Sequence, residues 1–245
     1  MRSFSNTYIF LFSVIMVIAV AVLLSFVAMQ LKPLQDLNRE IERKQDILAS
    51  VKEGEEASEV KDKNSYVEGE FEKYINDSYV VNYSGDVVEG KDAFEVTLNL
   101  PEQADKDAED RLYPVFVYTN DEGTKKYIVP VRGKGLWGPI WGYVSFRSDM
   151  NTMYGAIYDH QGETPGLGAE INTDWFEEEF EGKKIFDEQG NFVSVEVLKG
   201  KDTSNDPHAV DGISGGTITS DGVDDMLEDY LGGYVNHFKK RQAAN

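Results

Sequence analysis

Near the carboxyl end, Ser214-Gly215-Gly216-Thr217-Ile218-Thr219-Ser220 sets four hydroxyls around a glycine pair, just before an acidic amphipathic segment from Asp221 to Leu231. Glycines let a backbone turn with φ > 0 and approach a ligand closely, and Ser220 is a candidate cap for a following helix whose free N–H groups and dipole favour an anion. Such a loop can cradle a phosphate, and a threonine hydroxyl in it is placed to accept a transferred group. The plainer reading is a hydroxyl-rich turn that only caps a helix. A second loop of similar make-up, His160-Gln161-Gly162-Glu163-Thr164-Pro165-Gly166-Leu167-Gly168, combines glycine, hydroxyl and carboxylate, and two such loops can close on one ligand.

Other chemistries fit the sequence poorly. The chain has 245 residues, 41% of them hydrophobic, enough for one large or two small domains with a proper core. Its net charge of −20 repels nucleic-acid phosphates. With no cysteine there is no disulfide and no cysteine-ligated cluster, and His160, His208 and His237 lie too far apart to suggest a metal site. No catalytic residue is assigned.

The elements that must position the two loops follow from hydrophobic pattern. No residue between Arg2 and Lys32 is charged, and Tyr8 to Met29 is almost wholly apolar over 22 residues, about 33 Å as a helix. That length predicts a bilayer span, without any membrane-embedded carboxylate to handle an ion. Basic residues flank both ends, so flanking charge leaves the orientation open. Lys32-Pro33 is expected to end the span and start a new amphipathic helix with Leu34, Leu37, Ile41 and Leu48 at near-heptad spacing. Val51 to Lys63, charge-rich and without period, reads as a solvated linker. The expected division is therefore 1–31 for the span, 32–65 for stalk and linker, and 66–245 for a folded domain.

In that domain, strands are expected at Tyr79–Tyr83, at Phe94 to Leu100 where apolar and polar residues alternate, and at Tyr113–Tyr118 and Tyr127–Val131 around an Asn120–Gly123 hairpin turn. Further strands are expected at Val144–Phe146, Met153–Asp159 and Phe192–Val197. Gly135 to Tyr143 is rich in glycine and large aromatics, which suits close core packing as well as ligand contact. Asn172 or Thr173 can cap a short helix with Trp175, Phe176 and Phe180 on one face, and Lys199 to Asp211 reads as a polar connection. A last helix runs from Asp221 to about Arg241, with Gly232-Gly233 a potential kink. The class is α+β, with a mixed sheet.

Four stretches in this order, LKPLQDLNREIERKQDIL at 31–48, GLWGPIWGY at 135–143, HQGETPGLGAEI at 160–171 and DGISGGTITSDGV at 211–223, resemble the C subunit of the sodium-translocating NADH:quinone oxidoreductase family. The resemblance covers most of the chain; Val51 to Ala108 is its least diagnostic part. It implies an FMN-binding domain in which FMN is attached through its phosphate to the second threonine of the last motif, here Thr219, with Ser214, Gly215, Gly216 and Thr217 forming the loop. The family's usual motif has alanine where this chain has Gly216. The second loop is implied to lie against the flavin, which makes Glu163, Thr164 and Leu167 candidate contacts and Trp137 a further one. Glu163 has an equal claim to a local role, tying the glycine loop to backbone donors.

The same resemblance implies an electron relay within a multi-subunit membrane complex that oxidises NADH, reduces quinone and exports sodium, and a flavin transferase that uses FAD. It also implies a single-pass protein of the bacterial inner membrane, with the carboxyl-terminal domain on the periplasmic side. No glycine-rich dinucleotide fingerprint follows a strand, so NADH is expected to be oxidised elsewhere in that complex. The nearest alternative is the G subunit of the related Rnf electron-transport complex, which shares the attachment motif and the ETPGLG loop; LKPLQ and GLWGPIWGY argue against it. A membrane-tethered scaffold without redox function is the alternative from another class.

Overall fold

A computed structural model describes residues 5–200 and 202–244. The chain divides into two compact units, Met1–Arg43 and Lys44–Asn245. Helix α1, Asn6–Ala49, is unbroken, with Pro33 inside it, so no new helix begins at Lys32. Its first part has a mean hydropathy of 3.0 with none of that window buried, and Leu24, Phe26 and Met29 are exposed. An apolar surface all round a helix suits lipid, and one such helix fits a membrane anchor.

In the second unit the end of α1 is core. Ile47 and Leu48 are fully buried and Val51 is 1% exposed. The helix ends at Ala49, and the turn after it closes at Lys52, whose φ of 64° lies in the left-handed region. Glu53 N–H reaches back to the Leu48 carbonyl and Lys52 N–H to that of Ala49, the paired bonds of a Schellman ending. The stretch from Val51 is therefore not wholly a solvated linker: Val51 and Ala57 are buried in the core.

Helix α2, Lys63–Tyr74, capped by the Asp62 carboxylate on Ser65 N–H, leads into strand β1, Ile75–Val81. Two short helices follow, α3 at Ala93–Leu98 and α4 at Leu100–Ala104, where alternation predicts a strand. The Asp92 carboxylate caps α3 through Glu95 N–H at 2.7 Å, and Pro101 sits in the first turn of α4, where its missing donor costs nothing. Strands β2, Tyr113–Thr119, β3, Lys125–Lys134, β4, Pro139–Phe146, and β5, Met153–His160, then complete an antiparallel meander in the order β1-β2-β3-β4-β5. The β2–β3 hairpin turns at Asn120–Gly123 as expected, with Asn120 Oδ1 accepting from Thr124 N–H and Gly123 at φ 80°.

Helix α5, Asp174–Glu178, buries Phe176 while Trp175 is 47% exposed, so the tryptophan is not on the packed face. Thr173 precedes it without a side-chain cap; its hydroxyl donates to the Glu170 carbonyl. Strands β6, Glu196–Leu198, and β7, Ala209–Asp211, pair in parallel as a separate ribbon. The α+β class thus holds with parallel and antiparallel pairing kept in separate sheets. The expected strand from Phe192 shortens to β6, and the expected polar connection contains β7.

Helix α6, Thr217–Ala244, packs along the main sheet. Val115, Val117, Val129 and Val131 face it together with Leu227, Leu231 and Tyr234, while Phe116, Tyr118 and Ile128 point to a second cluster with Ile47, Val51 and Val96. Period-two alternation therefore feeds two cores, and the sheet is covered on both faces. Gly232-Gly233 does not break α6: a Cβ on Gly233 would lie 2.2 Å from the Tyr113 ring, so this glycine admits the ring.

Candidate functional site

The loop after β7 is closed by its own helix. Gly215 takes φ 81°, Gly216 N–H bonds the Ile213 carbonyl, and the Gly216 carbonyl accepts from Ser220 N–H at 2.8 Å, the first α-type bond of α6. The helix thus begins at Thr217, four residues before the expected Asp221, and Ser220 is not its cap. Instead the buried Ser220 Oγ accepts from Ile213 N–H at 3.0 Å and braces the loop from inside the helix. Thr217 and Thr219 therefore both lie in the first turn, where the dipole is positive and N–H groups lack helical partners.

Thr219 is 2% exposed, and its hydroxyl donates to Glu163 Oε2 at 2.6 Å. Glu163, 5% exposed, accepts at Oε1 from Trp137 N–H at 2.8 Å, and its own N–H donates to His160 Nδ1 at 3.1 Å. One buried carboxylate thereby joins the β3–β4 turn, the loop after β5 and the start of α6. Gly168 makes the approach possible: a Cβ there would lie 2.3 Å from Thr219 Oγ1 and 2.6 Å from Glu163 Oε2. Gly216 is tight but less so, with an added Cβ at 3.0–3.2 Å from Ile213, Leu167 and Gly168. The residue that closes the other side is Lys199, whose Nζ donates to Thr217 Oγ1 at 2.6 Å.

Glu163, Thr164, Leu167, Gly215, Gly216, Thr217 and Thr219 line one hollow of about 200 Å³, with Leu136, Gly168 and Ile218. Ser214 is exposed and outside that lining. Trp137 takes part through its backbone, with its side chain 68% exposed. Leu136, Leu167 and Ile218 are exposed as well, giving the hollow an apolar rim. Larger hollows lie elsewhere: about 520 Å³ beside Arg132 and Tyr230, and about 420 Å³ among acidic residues beside α5. Neither pairs a hydroxyl with a buried carboxylate, so chemistry and not volume singles out the smaller one. It combines an anion-favouring helix end, a buried hydroxyl and apolar surface for a planar group. A phosphorylated flavin fits that description, and a hollow smaller than the ~300 Å³ of an enclosing ligand pocket would not enclose it whole.

Comparison with known proteins agrees with this reading. A family model of an FMN-binding domain matches residues 135–232, a span that contains every lining residue of the hollow, and the class of the domain is thereby set. The chain is 31% identical to the C subunit of the Na(+)-translocating NADH-quinone reductase of Haemophilus ducreyi, over 89% of this chain and 88% of that one. It belongs to the family of that reductase's C subunits. The protein of the same name from Yersinia pestis is 40% identical over 119 residues, a stretch that is 48% of this chain and less than half, 44%, of that relative. The crystal structure of the C subunit from Parabacteroides distasonis superposes with a TM-score of 0.71 at 45% identity, covering 85% of this chain and 96% of that one.

Proposed function

We propose that this chain carries FMN as a phosphoester on Thr219 and relays electrons within a sodium-translocating NADH:quinone reductase. The observation that carries the reading is the buried hydrogen bond from Thr219 to Glu163, which singles out one hydroxyl of the loop and aims it into the hollow. Bound there, FMN would supply one- and two-electron redox chemistry that no side chain of this chain can. The protein's own part is placement. The first turn of α6 offers N–H groups to the phosphate, Glu163 fixes Thr219 and the Trp137 backbone together, and Leu136, Leu167 and Ile218 offer apolar surface to the ring.

An FAD-using transferase is the fitting source of the ester: the Thr219 oxygen would bond the flavin-side phosphorus of FAD and lose its proton, the pyrophosphate bond would break, and AMP would leave. The relatives are named as part of a reductase, so the partners in this reading are the complex's other subunits. The resemblance, and no flanking charge, is what supports a domain outside the cytoplasm of a bacterial inner membrane in this reading. A cysteine introduced at Asp105 and probed in intact cells with an impermeant thiol reagent tests the side; labelling only after lysis would overturn it. Intact mass and in-gel flavin fluorescence after denaturation test the attachment. Thr219→Val should abolish both signals and Thr217→Val should keep them; covalent flavin on Thr219→Val would refute the assignment.

A further inference from the structure

Lys199 is held against the start of α6 by a short scaffold that no other part of the proposed function uses. It directly follows β6, and β6 is pinned from two sides: Val197 N–H donates to Asp224 Oδ1 of α6 at 2.8 Å, and the Leu198 carbonyl accepts from Gly212 N–H at 2.6 Å. The same Gly212 begins the run into Gly215 and Gly216, so the β6–β7 ribbon fixes lysine and loop in one frame. The ammonium then bonds Thr217 Oγ1 at 2.6 Å. An ammonium has three donors, and this bond uses one of them.

A phosphate on Thr219 needs such a cation. The lining residues of the hollow include the carboxylate of Glu163, 2.6 Å from the hydroxyl that would carry the ester, and no lysine or arginine. The chain as a whole carries −20. Helix-end N–H groups favour an anion, but their partial charge is small beside a full carboxylate next door. Among the described residues, Lys199 is the cationic side chain that bonds the first turn of α6.

We propose that Lys199 is the phosphate-recognition residue of this site, and that it sets a preference for phosphorylated over unphosphorylated flavin. The inference rests on the flavin reading above and adds to it which group is recognised by what. A lysine suits the task as a compact charge that turns its remaining donors toward phosphate oxygens without a fixed fork geometry. Thr217 is then the residue that steadies the ammonium, which accounts for a second threonine that carries no ester.

The test separates phosphate from ring. The full-length chain bearing Thr219→Val, so that nothing is esterified, is titrated in detergent with FMN and with riboflavin, following flavin fluorescence. One charge-assisted bond corresponds to roughly tenfold in affinity, so this parent should favour FMN by about tenfold. Adding Lys199→Gln should bring the two flavins to within about twofold and flatten the salt dependence, while Lys199→Arg keeps most of the preference. Because Lys199 is exposed, the melting temperature should stay within a degree or two of the parent. An undiminished FMN preference in Lys199→Gln would overturn the role of Lys199 and leave the flavin site standing. Equal affinity of the parent for both flavins, or measurable binding of neither, would overturn phosphate recognition; absence of covalent flavin on the unmutated chain would overturn the flavin reading itself and this inference with it.

Discussion

Glu177 should make the unit Lys44–Asn245 less stable as pH rises from mildly acidic to mildly basic. Its carboxyl, on α5, is 8% exposed and accepts from Tyr158 N–H of β5 at 2.8 Å. Burial pushes it from an ordinary 4.5 up to about 8; the Tyr158 N–H opposes the rise, and Asp174, Asp46 and Asp159 add to it. Lys52 stands on the same hollow, but its ammonium is paired with Glu181. The sign follows from proton counts. Between the two values the folded state holds the proton and the unfolded chain has lost it, so stability is full below about 4.5, declines up to about 8 and is level above. At ~1.36 kcal/mol per pH unit the gap is worth about 5 kcal/mol at most, and about 3–5 is expected. Urea unfolding of the protein beginning at Lys44, compared with Glu177→Gln from pH 5 to pH 9, isolates the group, since repulsion from the other charges cancels in the difference. Glutamine keeps an oxygen for Tyr158 N–H. The two proteins should nearly coincide at pH 5 and diverge by about 3–5 kcal/mol at pH 8.5 in favour of glutamine. A difference that stays flat with pH would mean that Glu177 is ionised in the folded protein and the reasoning is wrong.

His237 should act with the opposite sign: burial lowers it to about 4, so stability falls as pH drops from 6.5 toward 4, by about 2–3 kcal/mol. An imidazole NMR titration giving a value near 6.5 would contradict this. A protein beginning at Tyr66 omits Ile47, Leu48 and Val51, buried side chains worth ~1.5–3 kcal/mol each, and so loses about 5–8 kcal/mol, comparable with the ~5–15 of a whole domain. It should be largely unfolded where the protein beginning at Lys44 is soluble; melting curves that agree within a few degrees would count against the core role of the α1 end. Gly168→Ala should cost about 1–3 kcal/mol and block covalent flavin loading, because the new Cβ meets Thr219 Oγ1. Gly162→Ala, with nothing within 4 Å, should load normally, and equal loading of both variants would show that Gly168 is not needed for space.

The two loops, the span and the β2–β3 hairpin are legible in the sequence because each rests on a local signal: hydroxyls beside glycines, a long uncharged apolar run, and Asn and Gly between alternating strands. The α3 segment reads as a strand because it fits both periods. Phe94, Val96, Leu98 and Leu100 alternate, yet the buried set is Ala93, Val96, Thr97 and Leu100, a helical face opened by the Asp92 cap. Val51 to Lys63 looks solvated since charges outnumber its apolar residues, and only tertiary packing reveals that Val51 and Ala57 are buried. The start of α6 is placed too late by pattern alone because its first turn is made of threonine, isoleucine and serine, poor helix formers that the Glu163 and Ile213 bonds hold in place. Lys199 carries no signal at all, because nothing local links residue 199 to residue 217; the parallel pairing of β6 with β7 does.

Of the alternatives left open for Glu163, flavin contact or loop tie, the loop tie is the one its hydrogen bonds make. A carboxylate 5% exposed is tolerable only when its oxygens are bonded, and here one oxygen takes the Trp137 N–H and the other the Thr219 hydroxyl. The bonds that tie the loops are therefore also the ones that hold the hydroxyl on which the ester is proposed. The arrangement has a cost for holding an anion, since a buried carboxylate in a chain of net charge −20 weakens affinity for a phosphorylated cofactor. On the proposed ester, retention no longer depends on affinity. The site can then remain shallow, about 200 Å³ with an exposed rim of Leu136, Leu167 and Ile218, where a deep pocket would otherwise be required. In the proposed reading a shallow site would leave the ring edge open to an electron partner, so the ester and the open rim would be two consequences of a single design: a cofactor fixed at its phosphate would not need its ring enclosed.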